Sequence, residues 1–239
     1  MNRFRQALEE KPFLLMVSLP QNDETLARAA MEEGADGLKM HINVYHRASG
    51  NRFGPLAEYT DFIQKIRSQF AGPIGIVPGG SMEELNPEEI KQFDSLGIDF
   101  ISIYGHHLPA SLLKIEGVAS TFAIDDQFDL NRLEAVKHFP MTALEAVKHF
   151  PMTALEASII PGSEYGTRLT FADLLTYRYI VEKAGIPIIV PTQRKIVAED
   201  MKALRETGVR VLLAGAMAIG RTEDEMRRSI HALRNAIDN

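Results

Sequence analysis

Three short apolar stretches carry polar residues at every second position. Lys39, His41 and Asn43 interleave with Leu38, Met40 and Ile42; Ser102, Tyr104 and His106 follow the same rhythm around Ile101 and Ile103. Glu156 and Ser158 interleave with Leu155, Ala157 and Ile159. A period of two is strand geometry, so each set belongs to one face of a sheet. An ammonium, imidazoles, a phenol and a carboxylate on a shared face are the equipment of proton transfer. On this reading Lys39 forms a Schiff base or polarises a carbonyl, and Glu156 moves the proton. His41, Tyr104 and His106 orient hydroxyls or assist the transfer, while Ser18, Asn43, Asp125, Gln193 and Arg194 contact the substrate. Two other readings use the same residues. His41, His106, Asp125 and Glu156 could hold a divalent metal, although no HxH or HExxH spacing occurs and Lys39 would repel the ion. Alternatively, Lys39 and Glu156 form a structural ion pair in a filled core.

The elements that must position these residues recur in a fixed order. Amphipathic stretches end in glycine, at Gly34, Gly72, Gly97, Gly117, Gly185 and Gly208, and an apolar run begins at once. Glycine after a helix accepts the left-handed conformation that closes it. Strands are expected at residues 13–19, 36–43, 73–79, 98–106, 118–125, 154–160, 186–193 and 209–215. Helical segments are expected at 24–33, 55–70, 87–96, 109–115, 130–139, 171–184, 198–207 and 223–237. Strict alternation implies parallel strands with right-handed crossovers, and eight units suit a closed (β/α)₈ TIM barrel. An open doubly wound sheet is the alternative. The whole chain, 1–239, reads as one such domain. Polar residues gathered near the strand C-termini lie where barrels build their sites. The glycine- and cation-bearing loop at residues 44–55 would suit a lid over that mouth.

One segment interrupts the regularity. Residues 133–143 read LEAVKHFPMTA, residues 144–154 repeat them letter for letter, and a third LEA follows at 155–157. The barrel needs one copy, so the first should end helix five and the second should lead into strand six. Residues 141–151 would then be a surplus turn or bulge on the outer surface.

The last strand ends in Gly215-Ala216 and runs through Gly220-Arg221 into a helix, a turn that can offer backbone N–H groups to a phosphate. Gly215, Ala216, Gly220 and Arg221 are therefore expected phosphate contacts. From Gly185-Ile186-Pro187 to AGAMAIGRT the chain resembles the ribulose-phosphate-binding barrels, and within them the N-acylmannosamine-6-phosphate 2-epimerases. The resemblance covers roughly the last quarter and implies a phosphorylated sugar or similar anion at Gly215, Ala216 and the helix start. Members of that family have a catalytic lysine late in strand three and a carboxylate late in strand seven. Here those stretches read Ile76-Val77-Pro78-Gly79 and Pro191-Thr192-Gln193, so the epimerase activity does not carry over.

Composition narrows the function classes. A net charge of −6 and scattered aromatics without tryptophan disfavour nucleic acid. The absence of cysteine removes disulfides and thiolate chemistry and fits a reducing compartment. The N-terminus lacks a signal-peptide core and no apolar run is long enough to span a bilayer, so a cytoplasmic protein is expected. The leading expectation is a lyase or isomerase, of aldolase or epimerase type, acting without a cofactor on a small phosphorylated or carboxylated carbonyl compound. A metal-dependent barrel enzyme and a non-catalytic phosphate-binding barrel are the alternatives. Analogy with such barrels suggests a homodimer.

Overall fold

The computed structural model describes residues 2–113, 115–137 and 152–239. Eight parallel strands close into a barrel: β1 (Leu14–Ser18), β2 (Gly37–His41), β5 (Ile74–Val77), β6 (Phe100–Tyr104), β7 (Ala119–Ile124), β8 (Met152–Ala157), β9 (Ile188–Pro191) and β10 (Val211–Ala214). The two remaining strands, β3 (Val44–His46) and β4 (Asn51–Phe53), pair antiparallel as a hairpin after β2. Around the ring the order is β1-β10-β9-β8-β7-β6-β5-β2, the sequential closure that right-handed βα units dictate.

Alternation along each strand sorts the core into two. Leu38, Met40, Ile74, Ile76, Ile101, Leu155, Val190 and Leu212 face outward and pack under the helices. The inward set is apolar at the bottom, where Leu14, Met16, Phe100, Ala119, Ala154, Ile189, Val211 and Leu213 fill the lumen. A helix that the sequence reading did not anticipate, Arg3–Glu10, closes this end. Asn2 caps it through the amides of Phe4 and Arg5, and Phe4 and Leu8 project into the barrel floor. The Phe4 ring stacks on Phe100 at 4.3 Å, and the Phe100 ring occupies the space that a Cβ at Gly75 would need.

The glycine punctuation holds at Gly34, Gly97, Gly117, Gly185 and Gly208, where φ lies between 66° and 89°. Gly72 differs: it is required because a Cβ would meet the Asp36 carbonyl and the Phe70 ring. Helix Phe171–Ala184 and helix Glu223–Asp238 match the expected segments. Other helices are shorter than expected. Residues 87–96 hold a helix only at Pro87–Ile90, and residues 109–115 hold a single 3-10 turn, Ala110–Leu112. The fifth helix is described over Leu133–Lys137, and β8 begins at Met152. The expected surplus turn at 141–151 lies outside the described residues. Among the described residues no helix is long and apolar enough to cross a membrane.

Candidate functional site

Above the apolar floor the inward positions turn polar. Strand pairing sets Ser18, Lys39 and Gly75 side by side on β1, β2 and β5, and Ala123, Glu156 and Ile189 side by side on β7, β8 and β9. Strands β2 and β8 stand opposite each other in the ring. A lysine and a glutamate are long enough to meet across the lumen, and they do. Lys39 Nζ donates to Glu156 Oε1 at 3.0 Å and Oε2 at 2.8 Å, with both residues 6% exposed. Ser102 Oγ donates to Glu156 Oε2 at 2.7 Å and Ser158 Oγ to Oε1 at 3.3 Å. Burial pushes the Glu156 carboxyl up, but the Lys39 charge and the hydrogen bonds from Lys39, Ser102 and Ser158 outweigh it and hold the group below its usual range.

This pair does not sit in a filled core. It forms the floor of a cavity of about 470 Å³ open at the strand C-termini, lined also by Ser18, His41, Ser102, Tyr104 and Ser158. That volume suits a small metabolite. Burial, with the nearby Tyr165 and Glu156, keeps the Tyr104 phenol protonated well above its ordinary range. His106 stands at the rim, half exposed, stacked 5.5 Å from the Tyr104 ring with its Nδ1 3.7 Å from Asp125.

The other wall is built by the hairpin. His41, at the end of β2, is 1% exposed and its Nδ1 has no hydrogen-bond partner. Its ring lies 4.3 Å from the His46 ring and 4.9 Å from Phe53. Burial, then His46 and Lys39, hold His41 well below the ordinary imidazole value, and burial with Lys39 and Arg221 lowers His46 to about 4. Both imidazoles are therefore neutral at pH 7. His46 Nδ1 is hydrogen-bonded to Ser49 Oγ at 2.9 Å.

Several expected contacts lie elsewhere. Asn43 is not an inward strand residue: it turns the chain into the hairpin at φ 51°, and its amide donates to Glu89 Oε2 at 2.6 Å. Arg194 does not line the cavity. It is buried in a two-point pair with Asp173, at 3.0 Å for each bond, and reaches Glu164 at 2.6 Å. Gln193 lines the cavity, but its amide is engaged by the Ser158 carbonyl, Tyr165 Oη and the Ile160 amide, so it braces the loop after β8. At the expected phosphate turn, the Gly215 amide donates to Thr192 Oγ1 at 2.7 Å, Gly220 to the Ala216 carbonyl and Arg221 to Glu225. Those amides serve the protein's own oxygens, and of the turn only Gly215 lines the cavity. The helix that begins at Ala216 is one turn long, Ala216–Ile219. The metal grouping is likewise dispersed. Glu156 is bonded to Lys39, His41 is stacked under the hairpin, and His106 and Asp125 stand at the rim; among the described residues no three such side chains converge on an ion site.

Three participants went unassigned in the sequence. Ser102 and Ser158 were readable as inward positions, and their role as donors to Glu156 needed the cross-barrel register. His46 lies in a loop whose strands alternate too briefly to reveal a face.

No family model matches the chain, and no curated protein matches its sequence. Solved structures share its fold at low identity. Thiamine phosphate pyrophosphorylase from Pyrococcus furiosus aligns over 95% of this chain and 96% of its own, with 14% identity and a TM-score of 0.63. The tryptophan synthase A-subunit of Pyrococcus furiosus aligns over 93% and 97%, with 14% identity and a TM-score of 0.67. Phosphoribosyl anthranilate isomerase from Thermus thermophilus aligns over 95% and 98%, with 12% identity and a TM-score of 0.63. These likenesses establish a (β/α)₈ barrel.

Proposed function

We propose that the chain is a lyase or isomerase that moves a proton at a carbon next to a carbonyl in a small phosphorylated or carboxylated compound. The observation that carries this reading is the Lys39–Glu156 pair, held at the bottom of an open polar cavity. Glu156 takes the proton from the carbon. The negative charge leaves the carboxylate and reappears on the carbonyl oxygen, where the Lys39 ammonium can follow it. The total charge around the ammonium is unchanged, so the step asks little reorganisation of the site. Return of the proton to a different position isomerises the substrate, and loss of a leaving group from the enolate cleaves it. Schiff-base formation fits less well, because Lys39 Nζ is engaged by both Glu156 oxygens and is not free to attack a carbonyl carbon. Tyr104, protonated, is placed to donate to a substrate oxygen. Two structural neighbours, whose names refer to thiamine phosphate and phosphoribosyl anthranilate, are consistent with a phosphorylated ligand.

The test is deuterium incorporation. The protein in D₂O is offered a panel of small phosphorylated and carboxylated aldehydes, ketones and ketoses, followed by proton NMR. The wild type should exchange a C–H of at least one compound, while Glu156→Gln and Lys39→Met should fall by a hundredfold or more, the scale of a lost acid–base group. Exchange that persists in Glu156→Gln, or none with any compound that binds, overturns the reading.

A further inference from the structure

The cavity is electrically lopsided. On the hairpin side it is lined by Lys39, His41, His46 and Arg47, and on the side of β6 and β7 by His106, His107, Asp125 and Asp126. The hairpin wall has little negative charge of its own. Glu156 is already surrounded by Lys39, Ser102 and Ser158. Glu164, in the loop next to Arg47, is taken by Arg194 at 2.6 Å. Arg47 pairs with no carboxylate among the described residues, and its Nη1 stands beside Gly162, 2.7 Å from where a Cβ would lie. An ammonium has three hydrogens, and the Lys39–Glu156 contacts engage two of them. Arg221, whose guanidinium donates to the Ala48 carbonyl at 3.1 Å, pins the hairpin and adds to the positive field.

A guanidinium without a carboxylate partner on an open cavity wall, with Lys39 and Arg221 adding to the positive field, leaves an attractive place for an anion. We propose that His46 and Arg47, in the positive field of Lys39 and Arg221, form the subsite for an oxyanion on the ligand, a phosphate monoester or a carboxylate, under the β3–β4 hairpin. The inference rests on reading this cavity as the reaction site, and it fixes the ligand's orientation. The acidic end lies toward the hairpin, the carbonyl over Lys39 and Glu156, and hydroxyl or amino groups toward Asp125 and Asp126. It also moves the anion from the last-strand turn, where the Gly215, Gly220 and Arg221 amides are bonded to the protein's own oxygens, to the loop after β2. His41, buried behind His46, is a positioning residue that supplies the ring against which His46 stacks.

Binding should be coupled to a proton. The charged or titratable groups that face His46 are Lys39 and His41 from β2, Glu156 from β8 and Arg221 after β10. An anion seated among them favours the protonated imidazole, which the free site disfavours. By reciprocity, a protonated His46 binds the anion more tightly.

Inorganic sulfate and trifluoroacetate are the probes, since both stay ionised through the acid range in which His46 titrates and together they separate the phosphate-like from the carboxylate-like class. His46 ring titration by NMR should give a midpoint about one unit or more higher in saturating sulfate or trifluoroacetate than in the protein without either anion, where burial and the Lys39 charge hold it to about 4. The probe with the larger effect identifies the class. Calorimetry should show that Arg47→Gln weakens binding at least fivefold and that His46→Gln removes its acid-side strengthening. Glu156→Gln should still bind the probe while losing deuterium exchange. An unmoved His46 midpoint, or binding indifferent to Arg47→Gln, overturns the subsite. It leaves the proton-transfer reading to be judged by exchange alone.

Discussion

Lys39 and Glu156 illustrate how a buried pair differs from a surface one. Each alone would be costly at 6% exposure, and together they are bonded twice to each other and twice to serines. Removing one partner leaves the other uncompensated. Lys39→Met should therefore destabilise the fold by about 3–5 kcal/mol in urea unfolding. Lys39→Met combined with Glu156→Gln, which removes both charges, should recover much of the loss. If the single variant unfolds like the wild type, water reaches the carboxylate freely and the pair is not the desolvated unit described above. The sequence showed both side chains aiming inward, because a period of two fixes the face. It did not show Arg194 and Asn43 leaving that face. Both lie where the strand ends and the pleat no longer governs direction, so Asp173 and Glu89 claim them.

At the scale of elements, the hairpin β3–β4 matters most. It was legible only as a long loop with cations and glycines, since three-residue strands carry too little alternation to betray pairing. It stacks His46 on His41 and Phe53, burying imidazoles in a field set by Lys39. The consequence is a pH dependence of stability. Both histidines have folded values below the unfolded value of 6.5. Below pH 6.5 the unfolded chain takes up protons that the folded chain refuses, so stability present above that pH is lost as pH falls toward 4. The slope should approach about 1.4 kcal/mol per pH unit for each histidine. Urea unfolding at several pH values between 7 and 4.5 reads it directly, and His46→Gln should lower the slope by about one proton. A slope unchanged in that variant would mean that His46 is protonated freely in the folded state. The helix Arg3–Glu10 was readable in principle, from Asn2 as cap and Phe4 with Leu8 one turn apart, but it runs into Lys11-Pro12 and lacks the closing glycine that marks most of the other helix–strand junctions.

The whole molecule was the most legible level, because helix–glycine–strand punctuation repeats often enough to average out local error. Its limit is shown by three letters. Leu133-Glu134-Ala135 is helical and Leu155-Glu156-Ala157 is strand, with Glu134 exposed and Glu156 buried at the cavity floor. Identical residues take opposite structures because neighbours, not propensity, decide. The tandem repeat makes a further test possible. Deleting residues 141–151 or residues 144–154 yields the same polypeptide, in which one copy joins helix Leu133–Lys137 to β8. That shortened chain should fold with a melting temperature at least equal to the parent's, since shortening a connection costs little or gains slightly, and it should keep any deuterium exchange. Loss of the fold on deletion would show that the second copy is structural.

The strand that bears Glu156 is spelled twice. Met141 to Ala146 reads MTALEA, as β8 does, and Glu145 occupies the place of Glu156 within it. What distinguishes them is the residue that follows. Ser158 completes the shell of Glu156 and offers its carbonyl to Gln193, whereas valine stands at the equivalent position after the first copy. The two spellings thus part at the residue whose hydroxyl reaches Glu156, and the chain carries the letters of β8 a second time, eleven positions earlier.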